Sequence, residues 1–415
     1  MKIKPFAALR PQQAFAKECA ALPYDVMSSD EARKEVQNKP YSFLHVDKAE
    51  IDLDVSVHLY DDAVYQKAAD NLRALEEKGV YLQEKTPRFY FYRQVMNGRA
   101  QTGIVACASI DEYISGKIKK HELTRADKEQ DRIRHVDTCS AQTGPIFLAY
   151  KTCKELDEII QSETQKAPLY DFVADDGISH VVWASSSPTI DARIQAAFEK
   201  LDALYIADGH HRAASAVRVG LMRREQNPGY NGNEEFNFFM SVIFPADSLK
   251  IFDYNRLLRD LNGMDTQQFL SAVEKALGKV EEYQGEGQYR PTAPHTIGLY
   301  VGDKWYKVQM RQDVCQAGKQ AEKLDCAILQ KHFLSPVLGI DDPRTDKRID
   351  FVGGIRGLKY LEERCQQDAV AAISMYPVTM DELTAVADAG EIMPPKSTWF
   401  EPKLRSGIFI HKIEK

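Results

Sequence analysis

The sequence predicts an α/β protein built on a mixed sheet, followed by an α+β C-terminal region. Three observations carry this. Two strand pairs joined by short turns, at 88–110 and 170–183, alternate with segments of helical periodicity. A short apolar run, Leu204-Tyr205-Ile206-Ala207, breaks at Asp208-Gly209 into an alanine-rich stretch with helical spacing. Strands and helices then continue to alternate beyond Pro245 without a clean linker, which divides the chain softly into 1–245 and 246–415, with the loop 391–405 returning to the first region's site.

Taken in order, the first fifty residues are turn-rich, with Pro5, Pro11, Pro23-Tyr24-Asp25-Val26 and Lys39-Pro40-Tyr41. Aromatic residues beside prolines favour packing over disorder. From Val57 to Lys78, Val57, Tyr60, Val64, Ala68, Leu72 and Leu75 fall three or four apart, which predicts an amphipathic helix. Arg88–Val95 and Gln101–Ile110 flank Asn97-Gly98, the pair that favours a type I′ turn. A polar helix over 126–135 and a buried strand over 145–150 follow. Tyr170–Val173 and His180–Trp183 form a second hairpin around Asp175-Asp176-Gly177, and Pro188 opens a helix. The helix after Arg212 is expected to end near Gly220, with a strand at Phe236–Phe244. Later come a helix over Thr266–Leu277, a hairpin over 296–310 turning at Gly302-Asp303, and a helix over Glu322–Leu334. Ile349–Gly354 leads into a helix near 358–365, Val370–Tyr376 is a strand, and Thr379-Met380-Asp381-Glu382 is a capping box.

Composition narrows the function. A net charge of -7 and a pI near 5.9 argue against a nucleic-acid partner, because a polyanion demands a basic surface. No apolar run approaches the ~20 residues that span a bilayer, and the start of the chain lacks the apolar core of a signal peptide, so a cytoplasmic protein without a membrane partner is expected. Seven cysteines with no Cys-x-x-Cys pair read as reduced thiols.

The most informative stretch is Asp208-Gly209-His210-His211-Arg212. The first N–H groups of a helix have no intrahelical partners and carry the positive end of its dipole, while a glycine lets a ligand approach the backbone. His210, His211 and Arg212 add donors suited to phosphate oxygens. Against this stands a plain N-cap at Asp208 with a solvated first turn. Histidine has no special merit as a helix former, however, and arginine is disfavoured at a positive helix start, so the three together cost stability unless an anion or metal offsets it.

Three further clusters could hold chemistry. His121-Glu122-Leu123-Thr124 is not a zincin helix, since Arg125 stands where the second histidine belongs, but it brings an imidazole, a carboxylate and a hydroxyl to a strand exit. The alternative is a charged surface loop. Met393-Pro394-Pro395-Lys396-Ser397-Thr398 fails as a phosphate loop because Pro395 replaces the second glycine. Lys396, Ser397 and Thr398 could still bind a carboxylate or phosphate, or form a structural corner. Val352-Gly353-Gly354-Ile355-Arg356-Gly357 does not match the dinucleotide fingerprint and reads as a tight connection.

Pro23-Tyr24-Asp25-Val26, His121-Glu122-Leu123-Thr124, Asp208-Gly209-His210-His211-Arg212 and Met393–Thr398 with Pro402-Lys403, in this order, resemble a widespread prokaryotic family catalogued as domain of unknown function 1015. More locally, Asp208–Arg212 is similar to the phosphate-binding motif of free serine kinases on the ParB/sulfiredoxin fold. That resemblance implies a ParB/sulfiredoxin-like nucleotide-binding core, a role in serine metabolism, and phosphoryl transfer from ATP or ADP, with Mg²⁺, to free L-serine or a similar hydroxy compound. It also implies a glutamate base, for which Glu122 is the candidate.

In physical terms, the amides of Gly209 to Arg212 would hold the nucleotide phosphates, and Arg212 with one of His210 or His211 would neutralise charge on the phosphoryl group. Asp208 would hold Mg²⁺ or cap the helix, while His121, Thr124, Lys396, Ser397 and Thr398 would bind the acceptor. Two rivals are a noncatalytic nucleotide-binding regulator and a metal-dependent hydrolase using His210, His211, Asp208, His121 and Glu122. Oligomeric state is not legible.

Overall fold

The computed structural model describes residues 1–316 and 318–414. Two compact units emerge, one formed by Met1–Leu249 with the tail from Pro402, the other by Lys250–Glu401.

The first unit is mixed α/β. Its sheet contains β1 (Ile3–Lys4), β2 (Tyr90–Met96), β3 (Arg99–Ser109), β4 (Ile118–Lys119), β5 (Ile146–Tyr150), β6 (Tyr170–Val173), β7 (Ser179–Ala184), β8 (Leu204–Asp208) and β9 (Phe238–Pro245). Their order is β4-β8-β5-β9-β3-β2-β7-β6, with β1 against the end of β3. The pairs β4·β8 and β5·β9 are parallel and the others antiparallel. The β2–β3 turn is the expected one: Asn97 and Gly98 both take positive φ, as a type I′ turn requires.

Five helices matter here: α1 (Asp62–Glu77), α2 (Ala126–Cys139), α3 (Lys154–Glu163), α4 (Pro188–Glu199) and α5 (His210–Gln226). Helix α4 starts as Pro188 predicts, with Ser187 as its cap. One sheet face buries Phe91, Ile104, Leu148, Ile206, Phe239 and Ile243 with Leu156, Phe198 and Ala213. Each such aliphatic or aromatic side chain contributes about 1.5–3 kcal/mol. A second cluster gathers Leu9, Phe43, Leu44, Leu72, Leu75, Tyr81 and Ile410 from the N-terminal segment, α1 and the tail. The tail is bound in: Ile410 bridges Leu9, His411 and Lys412 pair with Gln142 and Ala141, and the Tyr81 hydroxyl donates to the Gly407 carbonyl at 2.7 Å.

Helix α5 does not end near Gly220 but runs to Gln226. Gly220 is there for close approach, since a Cβ on it would stand 2.4 Å from the Phe236 carbonyl oxygen.

The second unit is an antiparallel six-stranded sheet: β10 (Tyr254–Leu258), β11 (Gly278–Glu282), β12 (Thr296–Val301), β13 (Lys304–Met310), β14 (Ile349–Gly353) and β15 (Ala371–Ser374), ordered β11-β13-β12-β15-β10-β14. Helices α6 (Thr266–Ala276), α7 (Leu358–Cys365) and α8 (Met380–Asp388) accompany it, and the capping box at Thr379 and Glu382 forms as expected. The single helix expected over Glu322–Leu334 is instead a chain of short turns: a 3-10 turn at Ala321–Lys323, an α turn at Asp325–Leu329, a π turn at Gln330–Leu334 and a last α turn at Ser335–Leu338. Pro336, without an N–H, forces the wider turn before it. Among the described residues no helix is long and apolar enough to cross a membrane.

Candidate functional site

The site of the first unit grows from the junction of β8 and α5. The pairing of β8 with β5 shifts register between Ile206 and Asp208, a bulge that re-aims the last residue of the strand. Gly209 follows at φ +91, a left-handed conformation suited to glycine. Helix α5 then opens with no side-chain cap from Gly209, so the first-turn amides have no acceptor from the capping residue. Asp208 turns back on the chain: its Oδ1 accepts the Gly209 N–H at 2.8 Å and its Oδ2 accepts from the Lys403 ammonium at 3.0 Å. Burial alone would raise its pKa, but the charges of Lys403 and Arg212 hold the carboxyl well below the usual range.

Arg212 lies against this junction. Its Nη1 donates to the Pro145 carbonyl at 2.5 Å, while its Nε is buried with no hydrogen-bond partner. A Cβ on Gly209 would stand 3.1 Å from the guanidinium carbon, so only glycine lets the side chain fold back so closely. Burial opposes the charge of Arg212, but Asp25 and Asp208 outweigh it and raise its pKa.

The three imidazoles are not cations. Burial pushes His121 down to about 4, and it drives His210 well below its ordinary value, with His121 beside it adding to the effect. His211 is also lowered by burial, against the opposing field of Asp25 and Glu129. Positive charge here therefore comes from Arg212 and Lys403. The rings of His121 and His210 meet edge to face, 4.5 Å between centroids, and the His121 N–H points at His210 Nε2 at 3.5 Å. Glu122 Oε2 is 3.7 Å from His210 Nδ1. His211 Nε2 accepts the Arg125 N–H at 3.0 Å, and the Thr124 hydroxyl donates to Glu129 at 2.8 Å.

Beside Arg212 opens a pocket continuous with solvent, lined by Tyr24, Asp47, Arg132, Thr143 and Gly144 among others. Arg132 is buried, with its Nε on Asp131 at 2.9 Å and its guanidinium carbon 4.0 Å from the centre of the Tyr24 ring. Asp47 accepts from the Thr143 hydroxyl at 2.7 Å.

The structure thus brings His121, Glu122, Asp208, Gly209, His210, His211 and Arg212 together, with Thr124 close in the chain. Lys396, Ser397 and Thr398 belong to the second unit. Sequence reasoning did not single out Tyr24, Asp25, Asp47, Arg132 or Lys403 as site residues. The motifs Pro23-Tyr24-Asp25-Val26 and Pro402-Lys403 were the available signal for three of them; Asp47 and Arg132 carry no local one.

No curated protein matches the chain. Among solved structures, a free serine kinase in complex with AMP shares 15% identity, covering 71% of this chain and 86% of its own, at a TM-score of 0.36. SbnI with a C-terminal truncation, from Staphylococcus aureus, shares 12% over 72% and 84%, at 0.39. A conserved hypothetical protein from Pyrococcus furiosus shares 16% over 73% and 93%, at 0.36. The sequence profile described as "Protein of unknown function (DUF1015)" matches residues 3–327, a span that holds His121–Thr124 and Asp208–Arg212, and the chain belongs to the DUF1015 family.

Proposed function

We propose that this chain is a nucleotide-dependent kinase acting on the hydroxyl of free L-serine or a similar small hydroxy compound. One observation carries the reading: the half-buried Arg212 guanidinium, its buried Nε without a partner, folded against the uncapped start of α5. A buried polar group without a partner is costly, and a phosphate oxygen would supply one.

In this reading the amides of His210 to Arg212 bind the terminal phosphates of ATP or ADP, joined by the Gly209 N–H if it leaves Asp208, with His210 or His211 as a neutral donor. When bound, nucleotide and Mg²⁺ would supply the phosphoryl group and screen its charge; Asp208 is the carboxylate that would hold the ion, once an oxygen leaves the Gly209 N–H or the Lys403 ammonium. Arg212 stabilises charge on the phosphoryl group during transfer. The adjoining pocket receives the acceptor, with Arg132 for a carboxylate and Asp47 for an ammonium. Glu122 takes the hydroxyl proton, and Asp25, whose charge acts on both Arg212 and His211, is the second candidate for that role. His121 and Thr124 border Glu122 on the acceptor side.

The test is to incubate purified protein with Mg²⁺, ATP or ADP, and a panel of hydroxy amino acids, reading phosphate monoesters by mass spectrometry beside Arg212→Ala. Phosphoserine formed by the wild type and lost in the variant supports the kinase. Nucleotide binding without turnover favours the noncatalytic regulator, and absence of binding removes the phosphate site.

A metal-dependent hydrolase is the second reading, favoured by ligand atoms of His121, Glu122 and His210 that lie within 4.8 Å of one another. Metal analysis after purification separates it, because such an enzyme retains stoichiometric Zn, Mn or Fe.

A further inference from the structure

The second unit holds a buried cation that its neighbours do not neutralise. Arg256, on the central part of β10, is 4% exposed. Its contacts are the Tyr254 carbonyl, the face of Phe351 at 5.4 Å and the thiol of Cys326, none of them an anion. Asp253 pairs with Arg290 and Asp325 with His295, and among the described residues no carboxylate pairs with Arg256. Burial lowers the pKa of Arg256 and raises that of the Cys326 thiol, so the sulfur is not a resident counter-ion. An unpaired buried charge is among the costliest features a fold can keep, and it persists where a ligand completes it.

Space for a ligand is present. Arg256 lines a shallow pocket open to solvent, together with Cys326, Ser397, Leu324, Met375 and Val378. The loop that delivers Ser397 is held under strain: Lys396 takes φ +58, and the Ser397 hydroxyl donates to the Pro394 carbonyl at 2.6 Å and contacts Cys326 Sγ at 3.1 Å. Asp325 and Glu382 lie in the same lining. A single guanidinium beside two acidic residues cannot balance a phosphate dianion, whereas its planar fork matches a carboxylate.

We propose that this pocket binds a small organic carboxylate, held by the Arg256 guanidinium with its apolar body against Leu324, Met375 and Val378. Asp325 and Glu382 favour a carboxylate that also carries an ammonium, an α-amino acid. The site is independent of the kinase reading, because every residue named belongs to the second unit.

Isothermal titration of the full chain with L-leucine, 4-methylpentanoate and inorganic phosphate tests this, leucine being chosen because it has no hydroxyl to phosphorylate. The expected result is saturable binding of leucine, weaker binding of 4-methylpentanoate and none of phosphate. Arg256→Met should weaken leucine binding at least tenfold without lowering the ligand-free melting temperature, since it removes an unpaired charge, and Ser397→Ala should weaken it less. Arg344→Met, at an exposed pair with Asp342 elsewhere in the second unit, should bind leucine as the wild type does. The proposal is overturned if neither carboxylate binds at millimolar concentration, if phosphate binds in preference, or if binding survives Arg256→Met.

Discussion

The Lys403 ammonium stands 3.0 Å from Oδ2 of Asp208, a residue 195 positions earlier in the chain. Lys403 is 11% exposed and Asp208 31%, so the pair is only partly screened by water. The contact fixes the carboxylate at the foot of α5 and adds a second positive charge to that of Arg212.

Replacing Lys403 with methionine should lower stability by about 1–3 kcal/mol, between the values for exposed and buried pairs. Urea unfolding at pH 7 measures it. Asp208 has a depressed pKa in the folded state, so its contribution is fully present above the unfolded value of about 3.9 and is lost as pH falls below it. The gap between wild type and Lys403→Met should therefore narrow below about pH 4.

The buried imidazoles give a second acid sensitivity at higher pH. His121, at about 4 when folded, stays neutral where the unfolded chain, near 6.5, is protonated. The unfolded state thus binds more protons between these values, and stability falls as pH drops from 6.5 towards 4, by up to about 1.4 kcal/mol per pH unit for one such group. His210 is lowered further and adds to the slope. Urea midpoints at pH 7 and pH 5 should differ markedly, and the difference should shrink in His121→Gln.

Gly209→Ala should destabilise the fold by at least about 1 kcal/mol, because alanine at φ +91 is strained and its methyl would meet the Arg212 guanidinium. Thermal unfolding reads the first effect. Nucleotide titration reads the second, with an expected loss of affinity beyond what stability explains.

Arg212→Lys should not restore what Arg212→Ala loses. The bond to the Pro145 carbonyl and the buried Nε come from one planar group, which an ammonium does not reproduce. Calorimetric titration with ATP and ADP should show at least about a tenfold loss in both variants, corresponding to about 1.4 kcal/mol.

The two candidate bases are separable by kinetics. Removing the proton acceptor should lower kcat by about 10²–10⁴-fold with KM little changed. Glu122→Gln and Asp25→Asn, assayed side by side for phosphate-monoester formation, should differ, and the larger fall in kcat identifies the base.

Legibility in the sequence followed the range of the interactions involved. The Asn97-Gly98 turn, the capping box at Thr379 and the helix buried through Val64, Ala68, Leu72 and Leu75 are written in residues a few positions apart. The Asp208–Arg212 junction was visible for the same reason. Gly220 misled because a glycine that admits a neighbouring backbone looks locally like a helix stop. Arg132 and Asp47 sit on different elements and meet the site only through tertiary packing, and Lys403 reaches Asp208 from the far side of the second unit's sequence.

That last arrangement sets an order of assembly. The ribosome delivers Asp208 and Gly209 early, but their lysine emerges only after residues 250–401 have been synthesised. A nascent or prematurely terminated chain would carry the glycine junction with its aspartate left to the charge of Arg212, without the second cation. The electrostatics of the junction are therefore complete only once translation has run past Lys403, a dependence set by where the chain places the two partners.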